Sequence, residues 1–377
     1  MGVQSVPPRV AEGRRRAIVI CNARYDDPAL PRIPGAIADH DAVTRVLQGP
    51  AAGFEVTPLL DEGLLGVRLA IARVCREVEP DDTLLFYYSG GSFVGDGALH
   101  LPVKDSRGDY PAATMLEPEF VLREMRASRC RRIVILVDGC HSGAFFQHNR
   151  GIPDGLFAIT ACGADQITPD TPDGGLFTRA VLEALEGADT DRDGDGRITI
   201  DDVHDYVAAK FETQGQNSTP MKWVWNVREP IYLTSAPPRV FLSYRRDDLE
   251  LATRIKAGLE RRGFSIWFDR QGVSEGNWKQ RVIDGLVRAR ALVVLLTPSF
   301  VSGAVQKELE FAAGEHVPII PVTAGRIAQG ALPDWYRFDY ASLHRHEIEL
   351  EAIERGLDVL AAAIRSTHRE RSREQVG

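Results

Sequence analysis

The chain has 377 residues, of which 44% are hydrophobic and 26% charged, a length for two ordinary domains and a composition too polar for a membrane protein. A formal net charge of -8 argues against a nucleic-acid partner held through its phosphates, and five cysteines without paired spacing point to a reducing compartment, the cytoplasm. No apolar run reaches the roughly 18 residues that a spanning helix needs, and the opening MGVQSVPPRVAEGRRR lacks the apolar segment of a secretory signal.

Short apolar runs alternate with stretches of helical periodicity. They predict strand 17–22 (AIVICN), helix 34–47, strand 55–60, helix 66–78, strand 83–88, helix 117–128, strand 132–137 (RIVILV) and strand 157–160 (FAIT). Strands separated by helices require crossover connections, so the sheet is expected to be mostly parallel. The stretch LTSAPPR, with small residues and two prolines, reads as a linker over residues 235–238. A second series follows, with strands 240–244, 265–269, 291–297 and 317–322 and helices 247–262, 278–289, 305–314 and 347–365. The expected organisation is therefore two α/β domains, 14–234 and 239–366, each a mostly parallel sheet flanked by helices, and a charged tail over 367–377.

In such sheets chemistry collects at the carboxyl ends of the strands. One such end is LLFYYSGGSF, residues 84–93, where an apolar run stops at Ser89-Gly90-Gly91-Ser92 and offers no base. Another is RIVILVDGCHSGAF, residues 132–145, where Asp138-Gly139-Cys140 sets a thiol at the sheet edge. An exposed sulfur near backbone N–H groups is what a cysteine nucleophile needs; a buried, inert thiol is the alternative. In DRDGDGRITIDD, residues 191–202, Asp191, Asp193 and Asp195 fall at loop positions 1, 3 and 5. Gly196 falls at 6, the Arg197 carbonyl at 7 and Asp202 at 12, which is calcium-loop spacing, with a short aspartate where a glutamate gives better reach. A Ca²⁺ site is one expectation; an acidic turn capping the following helix, read over 201–211, is the other.

Six segments in fixed order carry a resemblance: AIVICNARYDDPALPRIPGAIADHDAV, LLFYYSGGSFVGDGALHLPVKD, ILVDGCHSGAFF, ITACGADQ, GGLFTRAVLEAL and STPMKW. Through them the first 235 residues resemble the caspase-like fold of bacterial caspases and metacaspases. The resemblance implies Cys140 as nucleophile, with Asp138 and Asp105 lining a pocket for a basic side chain before the scissile bond. Carboxylates suit such a cation, and they also suit plain loop capping. The match departs at one place. Family members read Ser-Gly-His-Gly after this strand, the histidine being the general base, whereas Gly91 stands at the histidine position here and Ser92 at the next glycine. A thiol without an imidazole titrates near ~8.5, and loss of a general base costs about 10² to 10⁴ in rate. His141 and His100 are the two candidates to stand in. The expectation is a caspase scaffold with impaired or no proteolysis, which binds peptide segments or passes a conformational signal without cutting.

The segments RVFLSYRRDD, GFSIWFDRQGVSEGNW, ARALVVLLTPSFVSGAVQKELEFA and VPIIPV make the rest of the chain similar to a Toll/interleukin-1 receptor (TIR) domain. Some TIR domains are self-associating adaptors; others cleave the nicotinamide–ribose bond of NAD with a glutamate on the helix after the third strand, four residues after a tryptophan. The resemblance implies Glu308 as that glutamate and NAD as a substrate rather than a cofactor, with Ala304 a departure at the tryptophan position. A carboxylate there can stabilise the oxocarbenium-like ribose that departing nicotinamide leaves, or it is merely a helix-start carboxylate favoured by the dipole. Arg245 is expected to steer the pyrophosphate, and Trp278 to stack a ring from a neighbouring subunit. The leading expectation is a two-domain signalling or immune-type protein with the TIR half as its enzyme. The alternatives are an active Cys140 endopeptidase of basic-residue specificity joined to a TIR adaptor, and a non-enzymatic scaffold. Expected partners are further copies through the TIR domain, other TIR or protein partners, and peptides at the caspase-like cleft, with neither nucleic acid nor membrane.

Overall fold

A computed structural model describes residues 13–95, 97–147, 151–167, 171–193, 195–268, 278–297, 303–324, 327 and 332–374, the side chains of 278–281, 303 and 368–374 excepted. The chain divides into two compact units between Ala236 and Pro237.

The first unit runs β1 (Arg15–Cys21), α1 (Gly35–Gln48), β2 (Glu55–Leu60), α2 (Leu64–Glu77), β3 (Thr83–Ser89), β4 (Phe93–Gly95), β5 (Ala98–His100), α3 (Pro111–Thr114) and α4 (Pro118–Ala127). It continues through β6 (Arg132–Asp138), β7 (Leu156–Thr160), α5 (Leu176–Glu186), β8 (Arg197–Thr199), α6 (Ile200–Thr213), β9 (Met221–Trp225) and β10 (Tyr232–Ser235). The main sheet has the order β2-β1-β3-β6-β7-β9, parallel except where β9 runs antiparallel along β7. Its central strands are apolar between their end residues because both faces are covered. Val19, Tyr87, Val134 and Leu136 face a core shared with α1, α5 and α6, and their neighbours Ile18, Phe86, Ile133 and Ile135 face one shared with α2 and α4. The register sets Cys21, Ser89 and Asp138 in a row at the carboxyl edge, Cys21 opposite Ser89 and Ser89 opposite Asp138.

The second unit holds β11 (Arg239–Ser243), α7 (Leu249–Glu260), β12 (Ser265–Trp267), α8 (Trp278–Val287), β13 (Ala291–Leu296), α9 (Gly303–Gly314), β14 (Ile319–Ala324), α10 (Asp334–Asp339), β15 (His346–Ile348) and α11 (Ile353–Glu374). Its sheet is parallel in the order β12-β11-β13-β14-β15. Both halves thus have the α/β architecture read from the sequence. The last helix begins at Ile353 rather than 347, because His346 to Ile348 pair with Val322 to Ala324 as an edge strand. The reading also passed over the antiparallel pair β8 and β10, the edge strand β9 and the helix α5. No helix among the described residues is long and apolar enough to cross a membrane.

Candidate functional site

Cys140 follows the end of β6 after one glycine and is half-buried. The chain then turns sharply: His141 takes a left-handed φ of 57° and a 3₁₀ turn, Ser142–Phe146, follows. That turn directs the His141 ring to the backbone of another loop, with Nδ1 2.8 Å from the Ala164 carbonyl oxygen. His100 is 3% exposed on β5, and its Nδ1 has no hydrogen-bond partner among the described residues. The strand that carries it packs on the 3₁₀ turn.

The loop opposite, where the resemblance expects an imidazole, is closed by tyrosines. The Gly91 N–H donates to Tyr25 Oη at 2.9 Å, and Tyr88 Oη lies 2.8 Å from the Gly91 and Pro102 carbonyl oxygens alike. A Cβ at Gly91 would stand 3.0 Å from Tyr25 Oη and 3.5 Å from Pro102 Cγ. Burial pushes the Tyr25 phenol up to about 12, so at neutral pH it is a hydroxyl donor and not a base. Ser92 directs its hydroxyl to the Cys140 carbonyl oxygen. The segment 88–92 is a polar brace between the loop after β1, β3 and the thiol loop.

Two carboxylates meet at the start of α5. The N-cap there is Gly175, which has no side chain to satisfy the first amides. Asp138, 6% exposed, does so from β6, its Oδ2 accepting from the Thr178 N–H at 3.1 Å and the Thr178 hydroxyl at 2.6 Å. Because the Thr178 proton goes to the carboxylate, Tyr87, whose Oη lies 2.5 Å from Thr178 Oγ1, is the donor in that pair. Asp39, 2% exposed on the buried face of α1, accepts from the Gly175 N–H at 3.0 Å and from the Ser89 hydroxyl at 2.7 Å. Only glycine fits against them, since a Cβ would lie 2.1 Å from Asp138 Oδ2 at Gly175 and 2.5 Å from Asp39 Oδ1 at Gly174. Burial, with Asp39 and Asp138 nearby, holds the Cys21 thiol and the Tyr87 phenol well above their ordinary ranges. Sequence reasoning missed Asp39 and Ser89; the available signal was an aspartate on the otherwise apolar face of α1. Asp105 is exposed and elsewhere, its Oδ1 accepting from the Leu64 N–H at 2.8 Å at the start of α2.

The acidic loop brings Asp191, Asp193 and Asp195 together, with carboxylate oxygens within 4.8 Å of one another. They also bind the loop's own amides: Asp191 Oδ2 accepts from the Gly196 N–H at 3.0 Å and Asp195 Oδ1 from the Arg197 N–H at 2.7 Å. Burial raises the Asp195 carboxyl despite that bond. Asp202 does not join the three. Its Oδ2 accepts from the Thr199 N–H at 2.9 Å and the Thr199 hydroxyl at 2.6 Å, in a capping box that starts α6. The Arg197 guanidinium lies over the Tyr232 ring, 4.7 Å from its centroid.

In the second unit a cavity of about 460 Å³ opens at the carboxyl end of β11, lined by residues that include Ser243, Arg245, Arg246, Trp267, Ala304 and Glu308. Ser243 ends β11, opposite Val294 of β13, and is 2% exposed. Its hydroxyl donates to Glu308 Oε2 at 2.5 Å. Glu308 lies in the second turn of α9 and is half-buried, which separates it from a helix-start carboxylate. Arg245 Nε lies 2.8 Å from Asp247 Oδ2. Trp267 stacks on Phe241 with ring centroids 4.5 Å apart. Glu308, Arg245 and Ala304 therefore share one cavity, while the Trp278 side chain lies outside the described residues.

Residues 14–232 match the family model of the caspase domain, and residues 240–357 match that of the TIR domain. Among curated proteins, the NAD(+) hydrolase SARM1 of Danio rerio is 31% identical over 107 residues, which cover 25% of this chain and 15% of that protein. The chain thus spans 15% of the length of that curated relative. Among solved structures, caspase-1 from Spodoptera frugiperda shares 18% identity at a TM-score of 0.47, over 60% of this chain and 91% of that one. Protein GSU0716 from Geobacter sulfurreducens shares 15% identity at a TM-score of 0.46, over 59% of this chain and 98% of that one.

Proposed function

This chain belongs to the caspase-domain family and carries a TIR domain behind that domain, and from this we propose an immune-type signalling protein whose TIR unit cleaves NAD. The observation that carries the reading is Glu308, held 2.5 Å from the Ser243 hydroxyl in a cavity that also holds Arg245 and Arg246. The arginines suit the pyrophosphate of a dinucleotide. The nicotinamide ribose is then set at the carboxylate. The bond from C1′ to the nicotinamide nitrogen breaks, its electron pair leaves on neutral nicotinamide, and C1′ becomes oxocarbenium-like. Glu308 stabilises that charge, and water adds to C1′ with loss of a proton. The Danio rerio relative, itself an NAD(+) hydrolase by name, supports this substrate class.

The caspase-like unit is read as an impaired peptidase in which Gly91 supplies no general base and the His141 ring is engaged at Ala164. The second reading, a Cys140 peptidase cutting after basic residues, is favoured by the Asp39 and Asp138 carboxylates at the start of α5. Self-association through the TIR unit, a cytoplasmic setting, other TIR or protein partners, peptide binding at the caspase-like cleft and Ca²⁺ at Asp191, Asp193 and Asp195 complete the proposal.

Nicotinamide release by the full chain, at rising protein concentration, tests it. Glu308→Gln is expected to lower the rate by about 10² to 10³, the cost of losing one preorganised charge-stabilising group. Intact NAD at every concentration, or an undiminished variant, refutes the NAD reading. Cleavage of an Arg-containing peptide that Cys140→Ala abolishes would move the enzyme to the first unit.

A further inference from the structure

We propose that Ser243 is a positioning residue for Glu308, fixing the orientation of its carboxylate in the cavity. The inference rests on the NAD-cleaving reading of the same cavity and adds to it a group outside the motif that identified Glu308.

Ser243 is polar where its strand has no need of polarity. The three preceding residues of β11, Val240, Phe241 and Leu242, are buried and apolar. A hydroxyl that is 2% exposed is costly unless it is hydrogen-bonded. Its proton is not spent on a backbone carbonyl. It goes across to α9, to Glu308 Oε2 at 2.5 Å, the short end of the range for a hydroxyl donating to a carboxylate. Ser243 is anchored by the ladder opposite Val294, so the donor belongs to the rigid centre of the sheet and not to a loop. Glu308, by contrast, sits on a helix with a flexible side chain. A hydrogen bond from the sheet to Oε2 thus fixes the direction in which the Glu308 carboxylate enters the cavity. Arg245 and Arg246 line the same cavity, and the serine's hydrogen bond both aims the carboxylate and stabilises its charged form. The helix end adds little, because Glu308 lies past the first turn of α9 and the dipole effect fades within that turn.

The test compares wild type, Ser243→Ala, Ser243→Thr, Glu308→Gln and the Ser243→Ala/Glu308→Gln double variant in the full chain. With NAD as substrate, Ser243→Ala is expected to lower kcat on the order of 10- to 100-fold, the range for losing an orienting hydrogen-bond partner, with a smaller change in KM. Ser243→Thr, which keeps the hydroxyl, restores most of the rate. The double variant is no slower than Glu308→Gln alone, because the two side chains act as one unit. A second readout needs no turnover. The Glu308 carboxyl carbon, ¹³C-labelled and assigned through Glu308→Gln, titrates at higher pH in Ser243→Ala than in wild type. Ser243→Ala with wild-type kcat and pH profile, or an additive double variant, overturns the proposal. Should wild type leave NAD intact, the NAD reading falls, and the carboxyl titration alone decides whether Ser243 holds Glu308: an unchanged midpoint sinks it.

Discussion

A side chain added at Gly91 meets the Tyr25 hydroxyl with its first carbon, 3.0 Å away, so Tyr25 must give way before one is admitted. Gly91→His alone is therefore expected to leave peptide cleavage at background. Gly91→His with Tyr25→Phe removes the obstructing oxygen and is expected to raise Cys140-dependent cleavage by about 10², the lower bound for a general base; a fluorogenic Arg peptide reports it, and a gain from Gly91→His alone contradicts the packing. In the second unit, His346 titrates below its ordinary 6.5, chiefly through burial and secondarily through His344, whose ring centroid is 4.7 Å away. An unfolded histidine gains its proton near ~6.5 and the folded one only at lower pH, so the unfolded state binds more protons in that interval. Stability then falls as pH drops from about 6.5 toward the folded value. Melting curves at about pH 7.5 and about pH 5.5 should show a smaller loss of Tm for His346→Asn than for wild type. That His346 would titrate low was not legible in the sequence, because burial on an edge strand is a tertiary property.

Helices α2 and α5 begin at Gly63 and Gly175, residues that cannot cap, and borrow carboxylates from distant elements. Asp138 and Asp105, which the resemblance implies as pocket residues, are thereby given structural work. Asp138→Ala is expected to destabilise the first unit by about 1–3 kcal/mol, since it leaves the Thr178 hydroxyl and amide buried without their acceptor. Asp105→Ala, at an exposed helix start, is expected to cost about 1 kcal/mol. Urea denaturation of the two variants measures the difference, and equal costs would contradict the burial contrast. The acidic loop is judged at this scale too. Ca²⁺ bound by Asp191, Asp193 and Asp195 without Asp202 is expected to be weak, about 10⁻⁴ to 10⁻³ M, as for open sites of low ligand count. Isothermal titration giving a micromolar Kd would mean that Asp202 leaves its capping box. The long strands were legible because strands buried on both faces are continuous apolar runs. The three-residue β15 and the exposed edge strand β9 were not, because their pairing is set by a neighbouring strand and not by periodicity.

For the whole chain, the division of labour between the two units has a direct test. Cys140→Ala is expected to leave NAD turnover within about twofold of wild type, as for independent sites, while Glu308→Gln lowers it by about 10² to 10³. Specific activity is expected to rise with protein concentration if the TIR units must assemble. A Cys140→Ala chain that loses NAD turnover while keeping its melting profile would show that the thiol takes part in signalling to the second unit. By itself the order of residues determined two α/β units, a thiol at a strand end, a glycine-rich loop after β3 and a glutamate on the helix after β13. Those are local properties, written in apolar periodicity and in short motifs. Which groups meet was decided only by the tertiary structure. Asp39 joins Asp138 through α1 and β6, Tyr25 seals Gly91 from the loop after β1, and Ser243 reaches Glu308 from β11. A side-chain hydrogen bond spans elements far apart in the chain, so sheet register and helix packing select its partner.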